Sequence, residues 1–234
     1  MKKKTITIEG KPFTYEDEIE DISYETISAI SEDDARNLLQ TTKTLFDNCG
    51  IKFYLIFGTL LGAIRERGLI EGDEDVDVFI EREDLLIKNL PYLYENGLKV
   101  CRIKEHRFYS FHTINNSYID VYIKNELPFS IWKLWCVRIN FCVIPRWYIR
   151  KSKKIEFLGI ECLCPSKPER ILKYWYGKSW RIPIKSHNFT YDSPSRYWWR
   201  MKAKPFILSL VQLIRLAFDN PYTLLKKIWK KIQR

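Results

Sequence analysis

Two aspartates spaced two apart, in Asp75-Val76-Asp77-Val78, head a short apolar run that reads as a strand. Side chains alternate across a strand, so both carboxylates leave from one side while Val76 and Val78 turn to the core. A third carboxylate, Asp120, sits in a similar run, Ile119-Asp120-Val121. Hard oxygen ligands gathered on one face suit Mg²⁺ or Mn²⁺. Phosphoryl transfer uses such a site: one ion activates the attacking oxygen, a second steadies the leaving phosphate, and both neutralise charge in the in-line displacement. Upstream, Gly58-Thr59 is a turn whose backbone N–H groups can approach a phosphate, with a helix N-terminus behind them. A bare Asp-x-Asp is common and also fits surface acids at the head of a strand. The order is what singles this one out: strand, Gly-Thr turn, helix, Asp-x-Asp strand, then a third aspartate on a later strand.

The flanking sequence predicts elements that can position these residues. Ser31-Glu32-Asp33-Asp34 reads as an N-cap followed by acids that suit the positive end of a helix dipole. Leu38, Leu39, Thr42, Leu45 and Phe46 recur at helical spacing, and Gly50 is placed to end that helix. Residues 51–57 predict a buried strand, 58–65 the helix that leaves it, and 76–80 a second strand. Residues 84–96 predict a helix stopped by Gly97 and kinked or broken at Pro91. Strands are expected over 98–103, 108–114 and 118–123, with Asn115-Asn116 as the turn between the last two. Residues 155–164 predict a strand or hairpin, and Pro168 opens a short helix ending near Tyr176-Gly177. The fold class is α+β or α/β with a mixed sheet.

A chain of 234 residues holds one well-buried domain with an appendage. The expected division is an acidic, irregular lead-in over 1–30, the main domain over 31–190, and a basic, aromatic segment over 191–234. Charge is split along the chain: residues 1–123 hold 15 Lys+Arg against 23 Asp+Glu, and residues 124–234 hold 24 against 6. Such a division gives one surface able to hold cations and another drawn to polyanions. The six cysteines lack CxxC spacing and a histidine cluster, so they read as buried, reduced thiols and exclude a zinc finger or disulfide framework. The basic start, Met1 to Lys4, is followed by no apolar stretch, which argues against a signal peptide. No run of 18 apolar residues predicts a membrane span.

The stretch from Phe57 to Arg65 (Phe-Gly-Thr-Leu-Leu-Gly-Ala-Ile-Arg), followed by Asp73-Glu74-Asp75-Val76-Asp77, resembles the LicD family, which includes bacterial phosphocholine transferases and fukutin-type phosphoribitol transferases. Tyr118-Ile119-Asp120-Val121 is similar to that family's second acidic strand. Pro165, with Tyr176-Gly177-Lys178-Ser179-Trp180-Arg181-Ile182-Pro183, is similar to its Tyr-Gly-x-x-Trp-x-x-Pro ending. The resemblance covers about residues 35–185 with four motifs in order. It implies a polymerase-β-like nucleotidyltransferase fold, with transfer of a phospho-alcohol (phosphocholine, phosphoribitol or phosphoglycerol) from a CDP-activated donor to a sugar of a cell-surface glycan or glycolipid. One departure is that family members often carry Pro-Trp-Asp-Asp-Asp-Ile-Asp, where this chain has Glu71-Gly72-Asp73-Glu74-Asp75-Val76-Asp77. The pair Asp75/Asp77 survives, and the changed residues lie where neighbouring substrate contacts would be.

Within this reading Asp75 and Asp77 hold the metal, Asp120 completes the site and assists acceptor deprotonation, and Gly58-Thr59 with Arg65 positions the donor phosphates. Arg65 equally fits a solvated face beside Glu66 and Arg67. Lys178 could line the donor site with Tyr176 and Trp180, although packing is favoured for the two aromatics. His106, His112 and His187 have no spaced partner and read as ordinary residues. Over 222–234, Leu224, Leu225, Ile228, Trp229 and Ile232 share one helical face and Lys226, Lys227, Lys230 and Lys231 the other, the pattern of an interfacial helix on an anionic membrane. Residues 205–218 predict a further, mostly apolar helix. The alternative is a helix pair that packs back on the domain with its lysines exposed. Nucleic acid ranks below a membrane as partner, because no RNA or DNA module is visible. The expected location is therefore cytoplasmic, peripheral at the inner face of the cell membrane. Two other readings are nucleotidyl transfer releasing pyrophosphate and a non-catalytic membrane-bound scaffold. Truncation at residue 203 is expected to lower partitioning onto anionic vesicles in a co-sedimentation assay, and unchanged partitioning would reject a membrane role for the C-terminal helices.

Overall fold

The computed structural model describes residues 2–17, 29–113, 117–127, 136–140, 142–183, 210 and 214. The helices expected over 205–218 and 222–234, the Asn115-Asn116 turn and His187 lie outside the described residues, apart from Leu210 and Ile214, which are helical and exposed.

The lead-in expected to be irregular begins instead with a hairpin, β1 (Lys2–Ile8) and β2 (Lys11–Asp17), paired from Lys2↔Asp17 to Ile8↔Lys11. The acids at 16–21 obscured an alternating strand pattern: Ile6 and Ile8 face inward on β1, and Phe13 and Tyr15 do so on β2. Glu9 and Gly10 both have positive φ, 48° and 80°, which matches the right-handed twist of the strands they join. Phe13 anchors the hairpin edge-to-face on Tyr94, with centroids 5.6 Å apart.

The main sheet follows the order β10-β11-β3-β4-β7-β6-β5, with β8 continuing from β7 and β9 from β8. The strands are β3 (Phe53–Leu55), β4 (Asp75–Ile80), β5 (Lys99–Lys104), β6 (Phe108–His112), β7 (Tyr118–Glu126), β8 (Cys136–Ile139), β9 (Cys142–Pro145), β10 (Ser152–Phe157) and β11 (Ile160–Pro165). Pairs β4/β7 and β11/β3 are parallel and the others antiparallel, so the mixed sheet is as expected. The strand-or-hairpin alternative over 155–164 resolves as the hairpin β10/β11.

Helix α1 (Glu32–Asn48) starts as its sequence predicts, with the Asp34 N–H donating to Ser31 Oγ at 3.1 Å, and buries Leu38, Leu39 and Phe46 against the sheet. Phe46 meets Phe53 and Phe111 edge-to-face, which joins α1 to β3 and β6. Each such fully buried side chain contributes about 1.5–3 kcal/mol. Helix α2 (Phe57–Arg65) follows the three-residue β3 directly, α3 is Glu83–Glu95, α4 is Arg146–Ile149, and α5 is Pro168–Tyr176. Pro91 sits inside α3 without ending it. All six cysteines are free, and five of them are buried.

Gly62 of α2 makes a contact that no larger residue allows. A Cβ there would stand 2.5 Å from the Gly68 carbonyl oxygen, whereas one at Gly68 would meet nothing within 4 Å. Gly62→Ala is expected to destabilise the fold by about 1–3 kcal/mol through overpacking, read as a lower denaturant midpoint. Gly68→Ala serves as the near-neutral comparison.

Candidate functional site

The parallel register of β4 and β7 pairs Asp75 with Tyr118 and Asp77 with Asp120. The next strands extend that row, because Ser110 of β6 pairs with Asp120 and Arg102 of β5 pairs with Ser110. Arg102, Ser110, Asp120 and Asp77 thus line up across four adjacent strands. The side chains are joined as the register suggests. Arg102 Nε donates to Ser110 Oγ at 2.9 Å, and its Nη2 reaches both Asp120 oxygens at 3.2 and 3.3 Å. The Ser110 hydroxyl donates to Asp120 Oδ1, and the Tyr122 hydroxyl donates to Oδ2 at 3.3 Å. Arg102 also lies over the Phe108 ring, 4.6 Å from its centroid.

The Gly58-Thr59 turn serves this row differently from the phosphate cradle expected of it. The Gly58 N–H donates to Asp77 Oδ2 at 3.2 Å, and Thr59 Oγ1 accepts from the Asp77 N–H at 2.7 Å. Both groups therefore hold Asp77. The turn is tight: Ile56 is extended, and Phe57 takes φ +46°, a costly conformation for a residue with a Cβ. Phe57 is held there by the rings of Tyr122 and Trp175, at 5.0 and 4.9 Å. A Cβ at Gly58 would stand 3.3 Å from both Asp73 carboxylate oxygens and 3.4 Å from Asp77 Oδ2. Glycine is what admits the acids this close to the backbone.

The result is a buried concentration of negative charge. Asp77 is 9% exposed and Asp120 6%. Burial and then the charges of Asp77, Asp120 and Asp73 push the Asp75 carboxyl well above its ordinary range. Burial and the charges of Asp120 and Asp73 do the same to Asp77, opposed by hydrogen bonds from Gly58 and Tyr122. Asp73, next to the turn, is pushed up to about 6 by burial and by Glu74. Its Oδ2 is buried without a hydrogen-bond partner among the described residues. Burial and the neighbouring aspartates raise the Tyr122 phenol, which stays protonated and donates.

These features fit a hard divalent cation at the Asp75/Asp77 pair: oxygen donors on one face, repulsion that a cation relieves, and an orphaned carboxylate oxygen alongside. Among the described residues no three acidic, histidine or cysteine side chains form a complete cage. A pair of carboxylates is the usual protein share for Mg²⁺, whose remaining positions go to water and substrate phosphate. Asp120 lies beside Asp77 as expected, but Arg102, Ser110 and Tyr122 engage its oxygens, so this arrangement does not present it as a free third ligand.

The other expected residues divide. Arg65 does not sit on a solvated face: its side chain is 11% exposed, bonded to Glu66 and to the Trp180 carbonyl at 3.3 Å. It ties α2 to the segment after α5. Trp180 packs in the core at 4% exposure, Tyr176 is half-buried near Asp77 and Asp73, and Lys178 is exposed past the end of α5. His106 closes the β5–β6 turn onto Glu83, and His112 hydrogen-bonds the Thr113 carbonyl and pairs with Tyr118, the residue in register with Asp75. Arg102, Ser110 and Tyr122 carry no motif that marks them. Tyr122 could have been found two residues past Asp120, on the same strand face. Arg102 and Ser110 are visible only through the register.

A family description, the nucleotidyltransferase domain of LicD/FKTN/FKRP, matches residues 50–167, half of the chain. Ribitol-5-phosphate transferase FKTN of Mus musculus is 25% identical over 177 residues, covering 69% of this chain and 36% of that protein. The Homo sapiens FKTN is 23% identical over 187 residues, covering 73% and 38%. The chain thus spans less than two fifths of these relatives' length. Among solved structures, the antibiotic-resistance factor ANT(2'')-Ia gives a TM-score of 0.46 at 15% identity, covering 86% of this chain and 100% of that one. The lincosamide adenylyltransferase LnuA gives 0.41 at 14%, covering 62% and 85%.

Asp73 yields a pH signature. Its folded-state pKa of about 6 lies above the ordinary value of 3.8, so the folded protein binds this proton more tightly than the unfolded chain does. The Asp73 contribution to stability is then greatest below about pH 4, falls as pH rises from about 4 to 6, and stays low above that. In EDTA-treated protein, Asp73→Asn is expected to gain on the parent across that window by about 3 kcal/mol, read from urea melts at a series of pH values. A stability difference independent of pH would refute this.

Proposed function

The chain belongs to the LicD/FKTN/FKRP nucleotidyltransferase-domain family, and from that premise we propose that it is a metal-dependent transferase moving a phospho-alcohol from a CDP-activated donor to a sugar hydroxyl of a glycan or glycolipid. The observation that carries the reading is the alignment of Asp77 with Asp120 on parallel strands, with Asp75 two residues before it and the Gly58-Thr59 turn locking Asp77 in place. The FKTN relatives bear the name of a ribitol-5-phosphate transferase, which makes a polyol phosphate the first candidate for transfer.

Asp75 and Asp77 would hold Mg²⁺ or Mn²⁺, which when bound supplies neutralisation of the diphosphate and leaving-group charge. The protein's own residues do the rest. The Gly58 N–H fixes the Asp77 carboxylate, and Thr59 Oγ1 fixes the Asp77 backbone by accepting from its N–H. Asp120, fixed by Ser110 and Arg102, accepts the proton of the acceptor hydroxyl as that oxygen bonds to the alcohol-bearing phosphorus. The phosphorus–oxygen bond to CMP breaks, and CMP departs. Tyr122 keeps its proton and steadies Asp120 as the charge shifts. Arg65 is bonded to Glu66 and the Trp180 carbonyl, so it supports the wall of the site, and Lys178, exposed past the end of α5, would meet a donor phosphate.

Location at a cytoplasmic membrane face is part of the same proposal. No helix among the described residues is long and apolar enough to cross a membrane. Leu210 and Ile214, one helical turn apart, expose apolar side chains within the segment expected to lie on the bilayer.

Incubation with a CDP-alcohol donor and a glycan acceptor should release CMP, whereas pyrophosphate release from CTP would indicate nucleotidyl transfer. Asp75→Asn and Asp77→Asn should each lower turnover by roughly 10²–10⁴-fold, the loss of several kcal/mol of charge stabilisation, and should weaken Mn²⁺ binding in calorimetry. Variants that bind Mn²⁺ and support glycan modification as well as the parent would favour the scaffold reading.

A further inference from the structure

The basic excess of the second half of the chain is not confined to residues 205–234. Helix α4, the start of β10 and the start of α5 share one outer face. The Ser166 N–H donates to the Lys151 carbonyl at 2.8 Å, and Ser152 pairs with Pro165, so the chain around 150–153 lies beside that around 165–167. Tyr148 of α4 meets Tyr174 of α5 edge-to-face at 5.5 Å; burial raises its phenol, and the charge of Arg170 nearby opposes that rise. Arg150, Lys151, Lys153, Lys167 and Arg170 are all exposed on this face. Lys154 is paired with Glu161 at 2.7 Å, but these five have no ion-pair partner among the described residues. Exposed Glu169 lies among them at the start of α5, so five cations face one carboxylate there, and the excess positive charge carries a repulsion that an apposed anionic surface relieves.

Trp147 stands at the edge of this patch, 39% exposed and in contact with Tyr148. A large exposed aromatic beside clustered Lys and Arg is the composition of a surface that sits at lipid headgroup depth. A soluble polyanion would satisfy the cations but would leave the indole in water.

The topology gives the patch a direction. Strand β3 runs opposite to β4, β11 runs with β3, and β10 runs opposite to β11, so β10 and β4 start at the same end of the sheet. Asp75 heads β4 and Ser152 heads β10. Three strand spacings separate them, roughly 15 Å. The basic face therefore flanks the end of the sheet that carries the carboxylate row.

We propose that the α4–β10–α5 face, with Trp147 at its edge, docks the folded domain on an anionic bilayer and turns the carboxylate end of the sheet toward it. This docking is separate from any contribution of residues 205–234 and does not depend on which reaction the carboxylates catalyse. The test uses the full chain in co-sedimentation with phosphatidylcholine vesicles, with and without phosphatidylglycerol, and needs neither donor nor acceptor. The triple variant Arg150→Ala/Lys151→Ala/Lys153→Ala is expected to lose at least about ten-fold in partitioning onto the anionic vesicles, since each cation near such a surface contributes roughly a five-fold preference. Trp147→Ala should lose several-fold even at raised salt, where the charge attraction is screened. A charge-matched triple on the opposite edge, Lys88→Ala/Lys99→Ala/Lys104→Ala, should keep near-parental binding. Unchanged partitioning of the first triple would overturn the proposal, as would equal losses in both triples. Lost heparin binding with vesicle binding intact would also overturn it, in favour of a soluble polyanion.

Discussion

The register between β4 and β7 is the constraint on which the site depends. Their parallel pairing sets Asp77 opposite Asp120, and the antiparallel pairings beyond set Ser110 and Arg102 in the same row. A slip of one residue along either strand would turn every side chain to the other face. Val76, Val78, Ile119 and Val121 would then leave the core, where each is fully buried. The apolar half of each strand therefore enforces the polar half. The hydrophobic effect, which has no interest in carboxylates, is what holds two of them side by side.

Holding them there carries an electrostatic penalty, and the surrounding structure offsets it in two ways. Asp120 is compensated locally by Arg102, Ser110 and Tyr122. Among the described residues no cation pairs with Asp75 or Asp77; Gly58 and Tyr122 soften Asp77, and the rest of the repulsion shows as raised carboxyl pKa values. The division sorts the three aspartates by role. One is anchored by described neighbours, and the other two keep a mutual repulsion that no described basic residue offsets. Sites that bind and release cations are built from such imbalance.

The turn between β3 and α2 shows how local strain is tolerated for this purpose. Phe57 with positive φ and Gly58 pressed between two carboxylates are both unfavourable in isolation. Ring contacts to Tyr122 and Trp175 hold Phe57, and Gly62 lets α2 press against the Gly68 backbone. Arg65 at the end of the same helix reaches the Trp180 carbonyl, so the late Tyr-Gly-x-x-Trp segment closes over the helix that positions Asp77. Motifs more than a hundred residues apart in sequence act as one support.

Much of this is legible in the amino-acid sequence. Alternation placed Asp75 and Asp77 on one strand face, the Ser31 cap and the Gly50 stop framed α1, and apolar runs marked β4, β6 and β7, because each of these depends on neighbours close in sequence. The hairpin at β1 and β2 was hidden by a cluster of acids that lies mostly beyond its end. What tertiary structure alone decided were the partnerships. The Gly58-Thr59 turn, which resembles a phosphate cradle, holds Asp77; Arg65, which reads equally as a donor-phosphate contact or a surface arginine, is a part-buried tie; and Arg102 and Ser110, which carry no motif, complete the row. A sequence specifies which residues can donate, accept or carry charge, and which face of a strand they share. Which donor meets which acceptor depends on the order and register of strands far apart in the chain, and that is fixed only when the core closes.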